Sequence, residues 1–416
     1  DAHDEPPHPR RGHPSPARVG HDRHERRSPI GHRVAEGLGV QRGGVTRVRE
    51  RADHEEEDFD PTRTSMSGSV VGMSLTKLRG QWRYNNFIRR AGTGMELNDM
   101  GLVPVVNDIS IRQSFSYQGL RPTRFYRRTF NQVSSEQHWT TGGLPAGSSV
   151  TFHGSAEFPN FWGGAFTYRW VDAGASHCVS CTRGGPALRM AAKHDFSINV
   201  SGDPRPAVVP NLEIGFGSGD EGNSHGVGVT AGLDLRVASR FSMSLGPNYV
   251  HRHDDNQWVA NFGALLSDTI HYTFAHLEQR ILGLTTRANW TMTPNLSFQF
   301  YGQPFISTGS FTKWKEIDRP RSKEYAERFK GYGNGANPNG FNVKQFNSNA
   351  VLRWEYRPGS AIFVVWQQGR FQGDRNLGSF EFGRDLRDLF SAHPDNTLLV
   401  KASWWLNPWA GERVRG

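Results

Sequence analysis

Residues 282–301 read LGLTTRANWTMTPNLSFQFY, and their residue types follow a two-residue period. Leu284, Thr286, Ala288, Trp290 and Met292 form one mostly apolar set, with Thr285, Arg287, Asn289 and Thr291 between them. After Thr293-Pro294-Asn295 the alternation resumes, with Leu296, Phe298 and Phe300 set against Ser297, Gln299 and Tyr301. Successive side chains of a strand point to opposite faces, so each run predicts a strand with one oily and one wet face. The short break between them predicts an antiparallel hairpin.

The same pattern recurs from Ser67 onward. Val227, Val229, Ala231, Leu233, Leu235 and Val237 alternate with Gly228, Thr230, Gly232, Asp234 and Arg236. A link at Ala238-Ser239-Arg240 leads to Phe241, Met243 and Leu245. Ala350, Leu352, Trp354 and Tyr356 oppose Val351, Arg353, Glu355 and Arg357 ahead of a turn at Pro358-Gly359-Ser360. The last run places Leu398, Val400, Ala402, Trp404 and Leu406 on one face.

Link lengths carry a second pattern. Tight links are predicted near 238–240, 266–268, 293–295 and 357–360, and longer polar ones near 251–256, 308–346 and 372–395. Another short link is predicted near 276–279. Tight and long links largely alternate, as they do when an up-and-down barrel keeps short turns at one end and long loops at the other. No Greek-key crossover is needed. The expected fold is therefore all-β: an antiparallel up-and-down transmembrane β-barrel of about 16 strands, each near the ten residues that a tilted strand needs to span a bilayer.

Periodicity alone does not distinguish a barrel from a soluble sandwich, because both alternate. In a membrane barrel the apolar set meets lipid and the polar set lines the lumen. On that reading Leu284, Trp290, Phe298, Phe300, Leu352, Trp354 and Trp404 face lipid, with the tryptophans near strand ends as an interfacial girdle requires. Arg287, Asn289, Gln299, Tyr301, Arg353, Glu355 and Arg357 face the lumen. There they either set solute selectivity or bond to one another as a plug.

Composition fits this picture. Only 36% of residues are hydrophobic, yet 12% are aromatic and 47 are glycine, which suits strands with many turns. No run of eighteen apolar residues exists, which excludes a transmembrane helix but not a barrel. The chain opens DAHDEPPHPRR, with no apolar signal core, so an exported protein's targeting segment would lie outside this sequence. Residues 1–60 hold 11 Arg, no Lys, 13 acidic residues, seven His and a single aromatic, Phe59. Such a stretch buries too little apolar surface to offset ordering entropy, and disorder is expected. Its composition also fits GC-rich DNA translated in the wrong frame. This segment is slightly acidic, so the formal charge of +9 comes from the rest of the chain. There the cations are spread over many strands, which argues against nucleic acid as a partner.

Few residues suggest chemistry. His177-Cys178-Val179-Ser180-Cys181 contains a CxxC, readable as a redox pair or half a metal site. With no second cysteine pair, a small loop disulfide between Cys178 and Cys181 is the expected outcome. His251-Arg252-His253-Asp254-Asp255 has metal-ligating residue types but is predicted to be a solvated surface loop. Glu96 and Asp99 could do acid–base work on sugars, although Asn98-Asp99 reads better as a turn. No GxSxG, HExxH, Walker or dinucleotide motif sits in a supporting context. No metal and no cofactor is assigned.

The stretches GMELNDMGL (94–102), NLSFQFYGQPFISTGSFTKWKEI (295–317), SNAVLRWEYRPGSAIFVVWQQGR (348–370) and DNTLLVKASWWLNP (395–408) resemble the barrel part of a family of bacterial outer-membrane proteins, domain of unknown function 5916. The resemblance spans 67–408 and is strongest over 280–408. It implies a bacterial outer-membrane location, membrane lipid as a partner, and glycans or small solutes as candidate ligands. In that family a sugar-binding-like sandwich usually precedes the barrel, and the Arg/His-rich segment stands in its place here. A glycoside-hydrolase label belongs to that module and transfers poorly. The leading expectation is a channel, or the membrane part of a glycan-handling system. The alternatives are a barrel-embedded hydrolase using Glu96, Asp99 or Glu355, and a soluble carbohydrate-binding protein whose Trp290/Phe298 face packs on a second sheet.

Overall fold

The computed structural model describes residues 67–94, 106–172, 175–263, 270–333, 339–375 and 377–406. The disorder expected of 1–60, Glu96 and Asp99, and the link near 266–268 all lie outside the described residues.

The strands are β1 (Val70–Lys77), β2 (Trp82–Ala91), β3 (Asp108–Gly119), β4 (Arg128–Trp139), β5 (Pro145–Glu157), β6 (Gly163–Val171), β7 (His177–Cys178), β8 (Leu188–Arg189), β9 (Lys193–Ser201), β10 (Val208–Gly219), β11 (Ser224–Ala238), β12 (Phe241–Phe262), β13 (His271–Thr293), β14 (Leu296–Ile317), β15 (Phe329–Gly331), β16 (Gly340–Arg357), β17 (Ser360–Asp374) and β18 (Pro394–Ser403). One helix, α1 (Phe382–Ser391), lies between the last two strands. Sixteen strands form one antiparallel sheet in sequential order, with β15 attached to the side of β14, while β7 and β8 pair separately. Every neighbour on the main path is the previous or next long strand, so the sheet is a pure meander of local hairpins. Among the described residues, no pairing of β1 with β18 closes it.

The connections sort by end. Residues 78–81, 120–127, 158–162, 202–207, 239–240, 294–295 and 358–359 join strands at one end, and 92–107, 140–144, 172–192, 220–223, 263–270, 318–339 and 375–393 at the other. The tight turns expected near 238–240, 293–295 and 357–360 are all present, the last with Gly359 at φ 77°, a conformation that favours glycine.

Two expected links are absent. Residues 251–256 lie inside β12 and residues 276–279 inside β13, and these two strands run 22 and 23 residues. The strands are therefore about twice the expected length, roughly 75 Å at the usual rise. The apolar alternation does stop near Tyr249 and Leu282, but backbone pairing continues: His251 opposes Arg280 and His253 opposes Glu278. Polar cross-strand pairs sustain a ladder as well as apolar ones do. The link expected over 308–346 is shorter, 318–339, because β14 runs on to Ile317.

Among the described residues, no second layer covers either face of most of the sheet. Among the described residues, the few buried apolar side chains gather towards the long-loop end, including Phe274, Leu277 and Ile306 on β13 and β14, Leu188 in the 172–192 connection, and Leu389 on α1. Large apolar side chains such as Phe115, Phe216, Trp354 and Val400 are exposed. The face bearing Trp290 and Phe298 is thus not packed into a dry interior. No described helix is long and apolar enough to cross a membrane.

Candidate functional site

Directly opposed residues in a ladder share a face, so the register sorts every side chain. One row runs Tyr84, Phe115, Val133, Phe152, Tyr168, Phe196, Phe216 and Val227, from β2 to β11. Another runs Phe241, Trp290, Phe298, Leu352, Val364 and Val400, from β12 to β18. Both lie on the same face, because Val229 opposes Tyr249 and Leu235 opposes Met243. This apolar band takes in Leu284, Phe300 and Trp354, with Trp404 one residue past the end of β18.

The opposite face is wet. Asn85, Ser114, Ser134, Thr151, Arg169 and Asp195 form one row across β2 to β9. Beside it runs a chain of ion pairs. Arg112 donates to Glu136 at 2.5 Å, His138 lies 3.1 Å from Glu136 and 2.7 Å from Asp108, and Arg89 reaches Asp108 at 3.5 Å. Such a ladder ties three strands through side chains on the face that offers no apolar contact. A cleft of about 490 Å³ opens over it, lined by Arg112, Glu136, Ser149 and Arg169 among others.

The polar residues singled out in the sequence share this wet face on β13, β14 and β16: Arg287 opposes Tyr301, Asn289 opposes Gln299, and Arg353 opposes Ser297. The Arg287 guanidinium lies 5.3 Å from the Tyr301 ring centre, and the Tyr301 hydroxyl donates to Gln303 at 2.7 Å. Arg353 donates to Glu355 at 2.6 Å, and Glu355 also accepts the Gly359 N–H at 3.1 Å. Glu355 is therefore engaged in holding the 358–359 turn beside Arg357. Nothing in this set places a nucleophile beside a base.

The long connections interlock at their end of the sheet. Cys178 and Cys181 are joined by a disulfide inside the 172–192 connection. That connection is held by Asn261, whose amide donates to the Thr182 and Arg183 carbonyls at 3.1 Å, and by Arg183 stacking 3.6 Å above Trp258. Arg189 donates its N–H to Pro320, and Arg328 donates to the Arg189 carbonyl. Tyr325 donates to Asp255 at 2.6 Å. Burial pushes the Tyr325 phenol up, and the Asp220 and Asp255 charges add to this, so it stays a donor. Burial likewise raises the Asp220 carboxyl.

The segment His251–Asp255, expected as a loop, is strand, and this brings its side chains into order. His251 and His253 point to one face, the face of the apolar band, just beyond its last row. Sequence reasoning missed this because it followed apolar alternation, whereas the continuing signal here is His/Arg/His/Asp alternation. It also missed the ion-pair ladder of β3 and β4. The Arg112/Glu136 and Asp108/His138 partners lie 24 and 30 residues apart, and only the register joins them.

No curated protein matches the chain. The sequential all-antiparallel sheet and its two-faced register coincide with a match of residues 48–408 to a family model described as a domain of unknown function (DUF5916), and the chain belongs to that family.

Proposed function

We propose that this sheet is the wall of an outer-membrane β-barrel that passes small polar solutes, with its apolar face in lipid and its wet face lining a water-filled lumen. One observation carries the reading: a single meander exposes an apolar face from β2 to β18 while the opposite face bears ion pairs, and among the described residues no second layer covers the apolar side. A water-soluble sheet of this kind would leave an exposed patch far above the few hundred Å² that soluble proteins tolerate. In a bilayer the same face costs nothing, and the strands from β2 to β17 pair along ladders on both sides, leaving the outer edges of β1 and β18 to be satisfied at the seam. The apolar stretch Phe241–Tyr249 of β12 is nine residues long, matching a tilted bilayer-spanning segment of about 9–11 residues. The connections at one end never exceed the eight residues of 120–127, whereas the other end carries the long ones, 92–107, 172–192, 318–339 and 375–393, beside two short ones at 140–144 and 220–223.

Closure follows a parity rule. Fifteen strands along an antiparallel path leave β1 and β18 running parallel, so an even-numbered barrel takes an odd number of further strands at that seam. The test is reconstitution of the purified protein into lipid vesicles loaded with a small polar dye. Co-flotation with lipid and dye release support the reading. Recovery as a soluble protein without detergent would overturn it.

A further inference from the structure

Four of the ten histidines outside residues 1–60 converge on β11, β12 and β13, on the margin of the apolar band. His225 opposes His253, and their rings stack with centres 4.5 Å apart. His251 and His253 project from one strand to the same face, 4.8 Å between ring centres, and His276 lies 5.9 Å from His253. Glu278, opposite His253, reaches His251 Nε2 at 3.2 Å. One ligand atom each from His251, His253 and Glu278 lies within 4.8 Å of the others. Two of these atoms already stand at about the edge length of a tetrahedral site with metal–ligand bonds near 2.1 Å, and side-chain rotation closes the rest.

We propose that His251, His253 and Glu278 bind one divalent transition-metal ion, with His225 in reach as a fourth ligand. Two or three imidazoles and one carboxylate suit zinc, nickel or cobalt, and exclude the oxygen-only preference of magnesium and calcium. Two histidines two apart on a strand present both rings to one side, and the backbone ladder holds them there at no entropic cost of loop ordering. His276 is tied instead to Asp255 at 3.3 Å. Arg280 is the competitor: it donates to Glu278 at 3.1 Å and must release that oxygen when the metal enters. The site rests on the register of three strands and does not depend on whether the sheet closes or enters a membrane.

The test is titration of the full chain in detergent with Co²⁺ alone, followed by its visible d–d absorption. Residues 1–60 carry seven further histidines, so the readout is the difference between wild type and variant. His251→Ala and His253→Ala should each abolish one bound ion per chain or weaken it at least about tenfold. Arg280→Ala should bind as tightly or more tightly. Far-UV circular dichroism checks the fold, and His253→Asn replaces His253→Ala if the latter misfolds. Equal stoichiometry and affinity in wild type and both histidine variants, or no Co²⁺ bound by wild type, overturns the proposal.

Discussion

The ammonium of Lys344 lies 3.6 Å from the carboxylate of Asp385, and both side chains are shut away from solvent, at 2% and 0% exposure. Lys344 stands on β16, on the face that carries Leu352 and Trp354, and Asp385 on α1. This pair, with Asn342 donating to Asp385 at 2.9 Å and Phe346 against Phe390, docks the helix beyond the end of the apolar band. Lys344 also reaches Asp388 at 3.2 Å, so its removal breaks both ion pairs between β16 and α1. Arg384 still faces Asp385 at 3.0 Å, so the cost of a fully uncompensated buried charge, about 3–5 kcal/mol, is an upper bound. Lys344→Ala should therefore release α1 while the sheet persists. Amide exchange over 382–391 should accelerate by orders of magnitude, and trypsin should cut at Arg384 and Arg387. Unchanged protection of the helix would refute this account of its docking.

The same carboxylate makes helix docking pH-dependent. Burial by itself would push Asp385 up, but the Glu381 N–H, Arg384 and Asn342 outweigh it and hold the group below the ordinary carboxylate range. A depressed native value means the docked state binds its proton later than the released state. Docking stability is then fully present above the ordinary carboxylate range and falls as pH drops through the lower native value. Helix protection should be flat from pH 8 to about 5 and decline below about 4. In Asp385→Asn that acid decline should vanish, and a decline of equal size in the variant would assign it to other groups.

Phe298 and Gln299 are neighbours on opposite faces of β14, opposed by Leu352 and Val351. Arginine on the lipid face of a barrel costs about 2–4 kcal/mol near the bilayer midplane, and far less where water reaches it. Phe298→Arg should lower the stability of the lipid-inserted protein by about that amount, and Gln299→Arg by less than about 1 kcal/mol. Denaturant titration in lipid vesicles measures both. Equal costs would mean the two faces see the same medium.

How much of this was legible in the sequence depends on which half of a strand is read. From Phe241 to Tyr249 and from Leu282 to Trp290, one face must be apolar, so burial chemistry writes a period of two into the text. Turns such as 294–295 are equally plain, because two residues cannot do anything else between antiparallel strands. Past Tyr249 both faces of β12 are polar and the period loses its contrast, although hydrogen bonding continues for 13 further residues to Phe262. The helix FGRDLRDLFS was hidden inside an expected polar link. Its fixing point, Lys344 to Asp385, joins residues 41 apart and reads in the sequence as two ordinary surface charges. The disulfide was legible because its two cysteines are the only ones.

Arg112 and Glu136 meet on the wet face at 2.5 Å, over the cleft of about 490 Å³. If that face lines a conducting lumen, its fixed charges set the preference between cations and anions. Arg112→Ala removes a fixed positive charge, leaves Glu136 with only His138 beside it, and should move the reversal potential in a salt gradient towards cation selectivity. Glu136→Gln should move it the other way. Planar-bilayer recording reads both, and identical reversal potentials in wild type and both variants would remove these residues from any ion path.

The parity of the sheet leads to a final expectation about its edges. β1 is exposed along its whole length, and β18 along nearly all of it. Bare edges of this length invite non-specific pairing, and natural sheets cover, blunt or close them. Direct closure would pair the two strands parallel to each other within an otherwise antiparallel sheet. An interposed odd number of strands satisfies both edges in the pattern used everywhere else. In a Cys178→Ser/Cys181→Ser background, cysteines placed along Val70–Lys77 and Pro394–Ser403 should give no direct disulfide ladder under mild oxidation in membranes. The control pair at Val364 and Val400, which are opposed in the register, should crosslink readily. A ladder of β1–β18 crosslinks with parallel register would show that the two edges meet directly, and would replace the proposed even-numbered barrel with an odd one.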